Sequence, residues 1–564
     1  MRWIFPKPVS GDLTSTLEKA LEIHPSIAVL LVRLGVDTVE KAVSLLHPKL
    51  SSLADPFLLP DMDRAVSRIL KAIDSGEQIL LYGDYDVDGV TSVTLLHRVL
   101  VEFGGKVRSF LPNRLRNGYG LSKKGLEESF EAGKPDLLIT LDCGTSSKQE
   151  IADVYAMGID VIVIDHHECA KELPECVAIV NPKRGVNFEY LCTVGLAFKV
   201  AHALAKTRRE VPVALKDYLD LVALGTIADV VPLIAENRLF VIKGLEQAAS
   251  SKWAGLRALS RVAGLSQTLR GPDISFKIAP RINAAGRLES AGIALELMLS
   301  SDETTVQKLV EQLEQLNTRR RELADLVFQQ AEAAVAAQYN AQEHKAIVVG
   351  GKDWHPGLIG IVAAKMVQKY HCPVIVIGFD ADGIGKGSAR GVEGFSLVDA
   401  LRHCDSYLLK HGGHHLAAGV SLEESKMADF QKAFGEYAIK AFSQISSERE
   451  VAPDIHLELR DVTMHLVEGY EAVGPFGTNH PEPLFLLTKV QAATPPTIIK
   501  EKHRSFTFRQ NGTTARAIWF NSADEPLPEP PWDVAFTLGR NDFRGTSSPS
   551  IYVQHLRSAA EASK

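Results

Sequence analysis

Leu81-Tyr82-Gly83-Asp84-Tyr85-Asp86-Val87-Asp88-Gly89 places three aspartates two residues apart, directly behind an apolar run. If the chain stays extended, alternate side chains share one face, and Asp84, Asp86 and Asp88 crowd together. Carboxylates this close repel one another unless cations sit among them. Asp-rich turns need no cation, and Asp88-Gly89 also suits the end of a strand. From this stretch alone, an acidic turn and a metal loop both stay open.

The neighbouring sequence repeats the scheme. QILLYG (78–83) is a buried strand, and TSVTLLHRVLVEFG (91–104) is an amphipathic helix. KVRSFLPNR gives a second strand, and DLLITLD a third that ends on Asp142. A helix from Lys148 to Met157 leads to VIVI, which ends on Asp165-His166-His167. Strands alternating with helices predict a parallel α/β sheet. Ligands of such sheets bind beyond the carboxyl ends of the strands, where Asp84, Asp142 and Asp165 all fall. YLDLVALGTIADVVPL reads as a helix running into a loop, with Asp229 the only acid of its apolar second half. That carboxylate must be satisfied as a helix cap or as a ligand. KIAPRINAAGRLESA reads as a Gly/Ala-rich loop carrying Arg281, Asn283 and Arg287. Such cations suit a phosphate or a structural salt bridge.

Further out, residues 1–75 read as a helical packing layer broken by prolines. Asp302 to Val349 contains no Gly or Pro, which predicts one long helix or two collinear ones joining two lobes. Within it, Arg319-Arg320-Arg321 is either a solvated face or the border of a polyanion. A second α/β unit begins at KAIVVGG. Its segments GIGKGSARG and HGGHHLAAGVSL read as glycine-rich loops with Lys386, Ser388, Arg390, His414 and His415, a phosphate cradle. From 453 to 557, short alternating segments separated by turns predict a small β-barrel. Basic and aromatic residues interleave there, among them Phe506, Phe508, Arg509, Trp519, Arg540, Phe543 and Arg544. They form either an oligonucleotide-binding face or the barrel core.

Composition bounds the rest. A chain of 564 residues folds as more than one domain. The net charge of −7 argues against a uniformly basic nucleic-acid binder, but leaves room for a local basic channel. Six cysteines without CxxC spacing suggest reduced thiols in a cytosolic protein. No apolar run reaches bilayer length and the N-terminus lacks a signal core, so the expected location is the cytoplasm, with no membrane contact.

Asp84, Asp86, Asp88, Asp142, Asp165, His166, His167 and Asp229 together form a set of carboxylates with one or two imidazoles, and no thiolate falls in a ligand position. Hard oxygen donors suit Mn²⁺ or Mg²⁺. So many acids imply two ions with a bridging carboxylate, an arrangement suited to phosphoester hydrolysis.

GDYDVDG, LDCGTS, VIDHHE and GTIADVVPL stand in the order typical of the DHH phosphoesterase superfamily, and GSARG and GGHHLAAG are similar to its associated second domain. Within that superfamily, most of the chain resembles the bacterial RecJ family of single-stranded-DNA-specific 5′→3′ exonucleases. The resemblance implies a parallel-sheet DHH domain and a second α/β (DHHA1-like) domain joined by a long helix, then a C-terminal OB-type β-barrel. The expected boundaries are 1–75 for the helical segment, 76–300 for the DHH domain and 301–345 for the linker helix. The second domain covers 346–445 and the barrel 452–558. The resemblance further implies that Asp86 and Asp142 hold one metal and that Asp88, Asp142, His166 and Asp229 hold the other. Asp84 either completes the first site or orients a ligand. Asp165 would fix the tautomer of the imidazole, and His167 would face the scissile phosphate. Ser388 and Arg390, with Arg114, would anchor a 5′-terminal phosphate, while Arg281 and His415 are looser candidates for the DNA backbone. The implied product is a 5′-mononucleotide, released in DNA recombination and repair. Implied partners are single-stranded DNA, a helicase and a single-strand-binding protein, with the nuclease a monomer. Two alternatives remain at this stage. One is a DHH phosphodiesterase of short oligonucleotides or cyclic dinucleotides, which would need no barrel. The other is a non-catalytic binding protein, which the intact acid set disfavours.

Overall fold

The computed structural model describes residues 2–9, 11–118, 120–248, 250–265, 269–338, 340, 344–443, 450–543 and 545–559; for residues 115, 338 and 543 it describes the backbone alone. The chain divides into two compact units. One joins Asp55–Asp229 to Lys243–Ser447, and the other joins Met1–Ala54, Val230–Ile242 and Glu448–Lys564.

The first unit opens with β1 (Gln78–Gly83), α1 (Val87–Glu102), β2 (Lys106–Phe110), β3 (Leu137–Leu141), α2 (Lys148–Ala156), β4 (Asp160–Ile164) and β5 (Ala178–Val180). These strands form a parallel sheet of order β2-β1-β3-β4-β5. β1, β3 and β4 read as unbroken apolar runs because both faces are covered. Leu80, Tyr82, Leu138, Val161 and Val163 pack on one face with Ile151 and Val154 of α2. The strand order reverses between β1 and β3, and Asp84 and Asp142 follow these two strands. That reversal is where an open parallel sheet leaves a crevice for a ligand.

The acidic stretch itself does not continue the strand. β1 stops at Gly83, and Asp86 caps α1 by accepting the Gly89 amide at 3.2 Å. Asp-x-Asp-Gly therefore starts a helix. Gly89 is needed there, since a Cβ would lie 2.3 Å from the Asp84 carbonyl oxygen.

Next come α3 (Thr193–Thr207), α4 (Leu219–Ala228), α5 (Ala279–Leu288) and α6 (Glu303–Gln338). α5 occupies most of the stretch expected to be a loop, and a single π-helical turn over Ile274–Ile278 leads into it. Pro280 sits in its first turn, where a missing N–H leaves no bond unmade, and the alanines favour helix. α6 is one helix of 36 residues, about 54 Å long at 1.5 Å per residue.

The second sheet contains β6 (Ile347–Lys352), β7 (Val374–Phe379), β8 (Ile384–Arg390), β9 (Lys410–Gly413) and β10 (Ala417–Glu423), with α7 (Ile359–Tyr370) between β6 and β7. Its order is β9-β10-β8-β7-β6, with only β6 and β7 parallel. GIGKGSARG is thus a central strand and not a loop. Its glycines make room for neighbours: a Cβ on Gly387 would lie 2.5 Å from Val420 Cγ2 and 2.8 Å from Ile377 Cγ1.

The second unit is built around a closed barrel. Strands Phe485–Ile499, His503–Gln510, Thr513–Trp519, Thr546–Ser558 and Trp532–Phe543 pair in that order, and the last pairs back to the first. Phe506, Phe508 and Trp532 fill its core, and Trp519 packs against it. Arg509 is exposed and Arg540 pairs with Glu471 at 2.7 Å. The Phe543 side chain and Arg544 lie outside the described residues. Helices Gly11–Leu21, Pro25–Arg33 and Val39–Leu46 share this core through Leu17, Ile27, Leu31 and Ala42. The N-terminal 75 residues are therefore not one layer, since helix Met62–Ser75 belongs to the other unit. Buried Arg238 ties the unit's middle segment in place, donating to the carbonyls of Leu45, Ala472, Val473 and Gly474. No described helix is long and apolar enough to cross a membrane.

The glycine packing of β8 is directly testable. Gly387→Ala should destabilise the protein by about 1–3 kcal/mol through overpacking. Gly419→Ala, whose Cβ would meet nothing nearer than 4.0 Å, should be close to neutral. Urea unfolding of both variants compares them.

Candidate metal centre

Three groups of donor atoms gather above the carboxyl ends of β1, β3 and β4, each with its atoms within 4.8 Å of one another: Asp84, Asp86 and Asp142; Asp142, His166 and His167; and Asp88, Cys192 and Asp229. Asp142 belongs to two of them. Its backbone is left-handed, at φ 64°, which is uncommon for a residue with a Cβ and marks a strained, functional position. The turn is pinned by the Asp142 amide, which donates to the Ile164 carbonyl at 3.1 Å. Asp229 ends α4, so its carboxylate is delivered by a helix C-terminus.

Asp88 is held differently from Asp84 and Asp86. It lies in the first turn of α1 and is 1 % exposed. The amides of Thr193 and Val194, at the start of α3, donate to its two oxygens at 2.7 and 2.8 Å. Thr193 Oγ1 donates to Asp142 Oδ1 at 3.0 Å. These contacts are absent from the sequence reading, because an amide at a helix start leaves no chemical signature in the residue type. Cys192 joins Asp88 and Asp229, although its spacing in the sequence does not suggest a ligand. Burial, then the Asp88 charge, pushes its thiol well above the ordinary range, so it stands beside the acids as a neutral thiol.

The two histidines differ in charge. His166 Nε2 lies 3.4 Å from Asp142 Oδ1, 3.4 Å from Asp229 Oδ2 and 4.0 Å from Asp88 Oδ2. Burial, then the neighbouring His167 charge, lowers its pKa to about 4. It is a neutral imidazole aimed at three carboxylates, the form in which histidine binds a metal. His167 Nδ1 contacts Asp165 Oδ1 at 2.7 Å. Burial alone would lower its pKa, but the hydrogen bond and charge of Asp165 outweigh that and raise it to about 9. Asp165 is correspondingly held well below the usual carboxylate range by His167, against its own burial. The imidazole that Asp165 orients is thus that of His167. The Thr145 amide donates to Asp165 at 3.0 Å, and Asn181 Nδ2 donates to both Thr145 Oγ1 and the His167 carbonyl at 3.0 Å.

Whether this donor set fits cations can be judged from its electrostatics. Burial, then the Asp86 charge, pushes Asp84 up to about 8 and Asp88 to about 6. Burial, then Asp88, pushes Asp229 to about 8, and Asp142 is raised well above the carboxylate range by burial and four acidic neighbours. Asp84 Oδ1 and Asp229 Oδ2 are buried without a hydrogen-bond partner. Such carboxylates are stable as anions only beside positive charge. Oxygen donors with one neutral imidazole suit a hard divalent ion. The residues therefore fit metal.

A second cluster is cationic. Arg390 Nη1 donates to Ser388 Oγ at 2.9 Å. Gly360 on α7 keeps that pair accessible, since a Cβ would lie 3.0 Å from Ser388 Oγ and 3.1 Å from Arg390 Nη2. Arg390 is lowered by burial and by Arg114. His355 is lowered by burial, then Arg114 and Arg319, and Arg287 falls to about 10 through burial, then Arg114 and Arg320. Mutually repelling cations of this kind favour a bound anion. Arg114 lies 5.2 Å over the Tyr85 ring and also acts on Asp84, so the cationic and acidic clusters adjoin. Arg281 and His415 are engaged elsewhere. Arg281 Nε donates to Glu314 at 2.5 Å, and exposed His415 Nδ1 lies 3.0 Å from Ser396 Oγ.

Residues 78–226 match the DHH family, N-terminal domain; residues 343–440 match the DHHA1 domain; and residues 453–555 match the RecJ OB domain. The sheet, its crest of acids and histidines, and the second domain thus define a DHH-type protein. The single-stranded-DNA-specific exonuclease RecJ of Bacillus subtilis (strain 168) is 36% identical over 98% of this chain and 70% of its own length. The RecJ of Escherichia coli (strain K12) is 32% identical over 97% of this chain and 98% of its own. A crystal structure of RecJ in complex with Mn²⁺ from Thermus thermophilus superposes with a TM-score of 0.84 at 31% identity, covering 99% of this chain and 79% of that one. A second from the same organism, in complex with Mg²⁺, gives 0.79 at 30% identity, covering 99% and 78%. The chain belongs to the RecJ family of single-stranded-DNA-specific exonucleases.

The charge crowding predicts a pH signature in chelator. A carboxyl raised to about 8 binds more protons folded than unfolded, so its contribution to stability falls as pH rises towards that value. His167, raised to about 9, also loses its contribution as pH rises, whereas His166 acts only below its ordinary 6.5. The thermal midpoint should therefore fall steadily from pH ~6.5 to ~9, and Mn²⁺ should flatten the slope. Asp142→Asn should raise the midpoint in chelator by removing one repelling charge, and should lose most of the Mn²⁺-induced rise. Differential scanning calorimetry checks both signs.

Proposed function

We propose that the protein hydrolyses single-stranded DNA from its 5′ end, releasing 5′-mononucleotides, with two divalent cations (Mn²⁺ or Mg²⁺). The observation that carries this reading is the adjacency, within one unit, of a buried carboxylate centre and a cluster of repelling arginines. The first suits cations and the second a terminal phosphate. Membership of the RecJ family supports the substrate class.

In this reading Asp84, Asp86 and Asp142 hold one ion, and Asp88, Asp142, His166 and Asp229 hold the other. When bound, the ion pair supplies an acidified water and neutralises charge on the phosphoryl group. Thr193 and Val194 fix the rotamer of Asp88, and Asp142, on its left-handed turn, would serve both ions. Asp165 keeps His167 protonated and its Nδ1 engaged, leaving Nε2 to donate to a phosphoryl oxygen or to the departing 3′ oxygen. Ser388, Arg390 and Arg114 grip the 5′-terminal phosphate, so cleavage is counted from that end. The hydrogen bonds of Arg281 and His415 leave them lesser parts.

The working division is a metal-binding domain over 76–300, less the inserted segment Val230–Ile242 that belongs with the barrel, a linker helix over 301–345, a phosphate-binding domain over 346–445 and a strand-binding barrel over 452–558. Residues 1–54 serve the barrel's core. The setting is cytoplasmic DNA recombination and repair, as a monomer acting with a helicase and a single-strand-binding protein.

Mn²⁺-dependent digestion of end-labelled single strands carrying 5′ or 3′ blocks tests the reading. A 5′ block should stop digestion and a 3′ block should not; the reverse result removes the polarity. Asp142→Ala should lose hydrolysis by at least ~10³-fold while retaining DNA binding in a mobility-shift assay. Arg390→Ala should erase the preference for a 5′-phosphate over a 5′-hydroxyl, a loss of about 10–100-fold in kcat/KM on the phosphorylated strand.

A further inference from the structure

Phe276 is 79 % exposed, more than any other aromatic side chain among the described residues. Its neighbours Ile274 and Ile278 are both buried. Phe276 sits in the π-helical turn that leads into α5. π turns are rare and frequently mark functional sites. In this turn the ring is exposed while both isoleucines are buried.

Two cations lie near Phe276 in the chain: Asp273, 8 % exposed, holds Lys277 Nζ at 2.9 Å and Arg270 Nε at 4.0 Å. An exposed apolar ring with cations near it in the chain matches a nucleobase with its phosphates, since every base has a π-face and every nucleotide a charge.

The ring is also continuous with the metal centre. Phe276, Pro280, Asn283 and Arg287 recur at helical spacing and are each at least partly exposed, whereas Ile278, Ala279, Ile282, Ala284, Ala285 and Gly286 between them are buried. The stripe ends on Arg287, whose charge is felt by Tyr85 and is itself influenced by Asp86. Gly286 sets the closeness of this approach, since a Cβ there would lie 2.7 Å from the Tyr85 carbonyl oxygen. From Phe276 to Arg287 the helix axis rises about 16 Å. That span is at most about five nucleotides at the 3.4 Å spacing of a stacked strand.

We infer that Phe276 is a stacking platform for one base of the single strand, a few nucleotides from the cleaved end, with Asn283 and Arg287 lining the path between. This rests on the exonuclease reading and adds to it a fixed base-contact position. The contact is independent of sequence, and it lets the enzyme sense whether the strand extends beyond its first few nucleotides.

An abasic scan tests it. Single strands with a 5′-phosphate and one abasic site at each of the first several positions are digested by the wild type, Phe276→Ala and Phe276→Trp with Mn²⁺. In the wild type, one internal position should raise KM by about 5- to 100-fold when its base is removed. Phe276→Ala should raise KM on the intact strand by a similar factor, lose the position-specific penalty, and keep wild-type activity on dinucleotides and trinucleotides. Phe276→Trp should restore the penalty, and its indole fluorescence should be quenched on binding a strand in chelator. An unchanged abasic profile in Phe276→Ala, with the wild type active on single strands, overturns the platform and leaves the exonuclease reading standing. A wild type inactive on single strands overturns both. The ring is exposed, so loss of folding does not confuse the comparison.

Discussion

Like charges forced into one crevice are the constraint on which the rest of this structure depends. Five carboxylates and two imidazoles converge where the strand order of the parallel sheet reverses, and four of those acids are pushed well above their ordinary range. No fold gathers such groups for stability alone, since each unpaired buried charge is unfavourable. The surrounding architecture holds them nonetheless. Two amides at the start of α3 fasten Asp88, a left-handed turn aims Asp142, a helix end presents Asp229, and Gly89 lets α1 begin against the Asp84 carbonyl. The histidine pair shows how finely environment sorts identical side chains. His166, facing acids through Nε2 but beside a charged neighbour, is neutral, while His167, bonded to Asp165, is charged.

Much of this was legible from residue order. Apolar runs ending on Asp142 and Asp165, and a helix ending on Asp229, are period-and-breaker signals that survive folding unchanged. The acidic stretch was legible in content and not in shape. Three acids at spacing two suggested an extended chain, yet Asp86 is a helix cap, a role Asp fills as readily as that of ligand. Its neighbours consequently part: Asp84 and Asp86 join one group and Asp88 another. The glycines of GIGKGSARG misled in the same manner. Glycine signals conformational freedom or a need for space, and in β8 the need was space for Ile377 and Val420. Likewise the alanines and Pro280 of KIAPRINAAGRLESA make a helix, and bring Arg287 rather than Arg281 towards the acids.

What the sequence could not display were contacts made by groups that every residue carries or that ordinary composition hides. The amides of Thr193 and Val194 are of the first kind. Neutral Cys192, His355 and the division of the N-terminal helices between two units are of the second. Helix periodicity reports which face is apolar, but not which of two cores will cover it, so the first three helices gave no sign that they complete a barrel encoded more than 400 residues later.

Asp229 is the last residue of the first segment of one compact unit, and Val230 the first of the other's inserted segment. Descent by recombination is constrained accordingly. A gene rearrangement that exchanged or dropped the barrel at its C-terminal border would strand the segment Val230–Ile242, whose Arg238 is spent on barrel carbonyls. It would disturb the backbone one bond from a carboxylate of the acidic crest. A change at that border therefore acts on both units at once, through the chain itself.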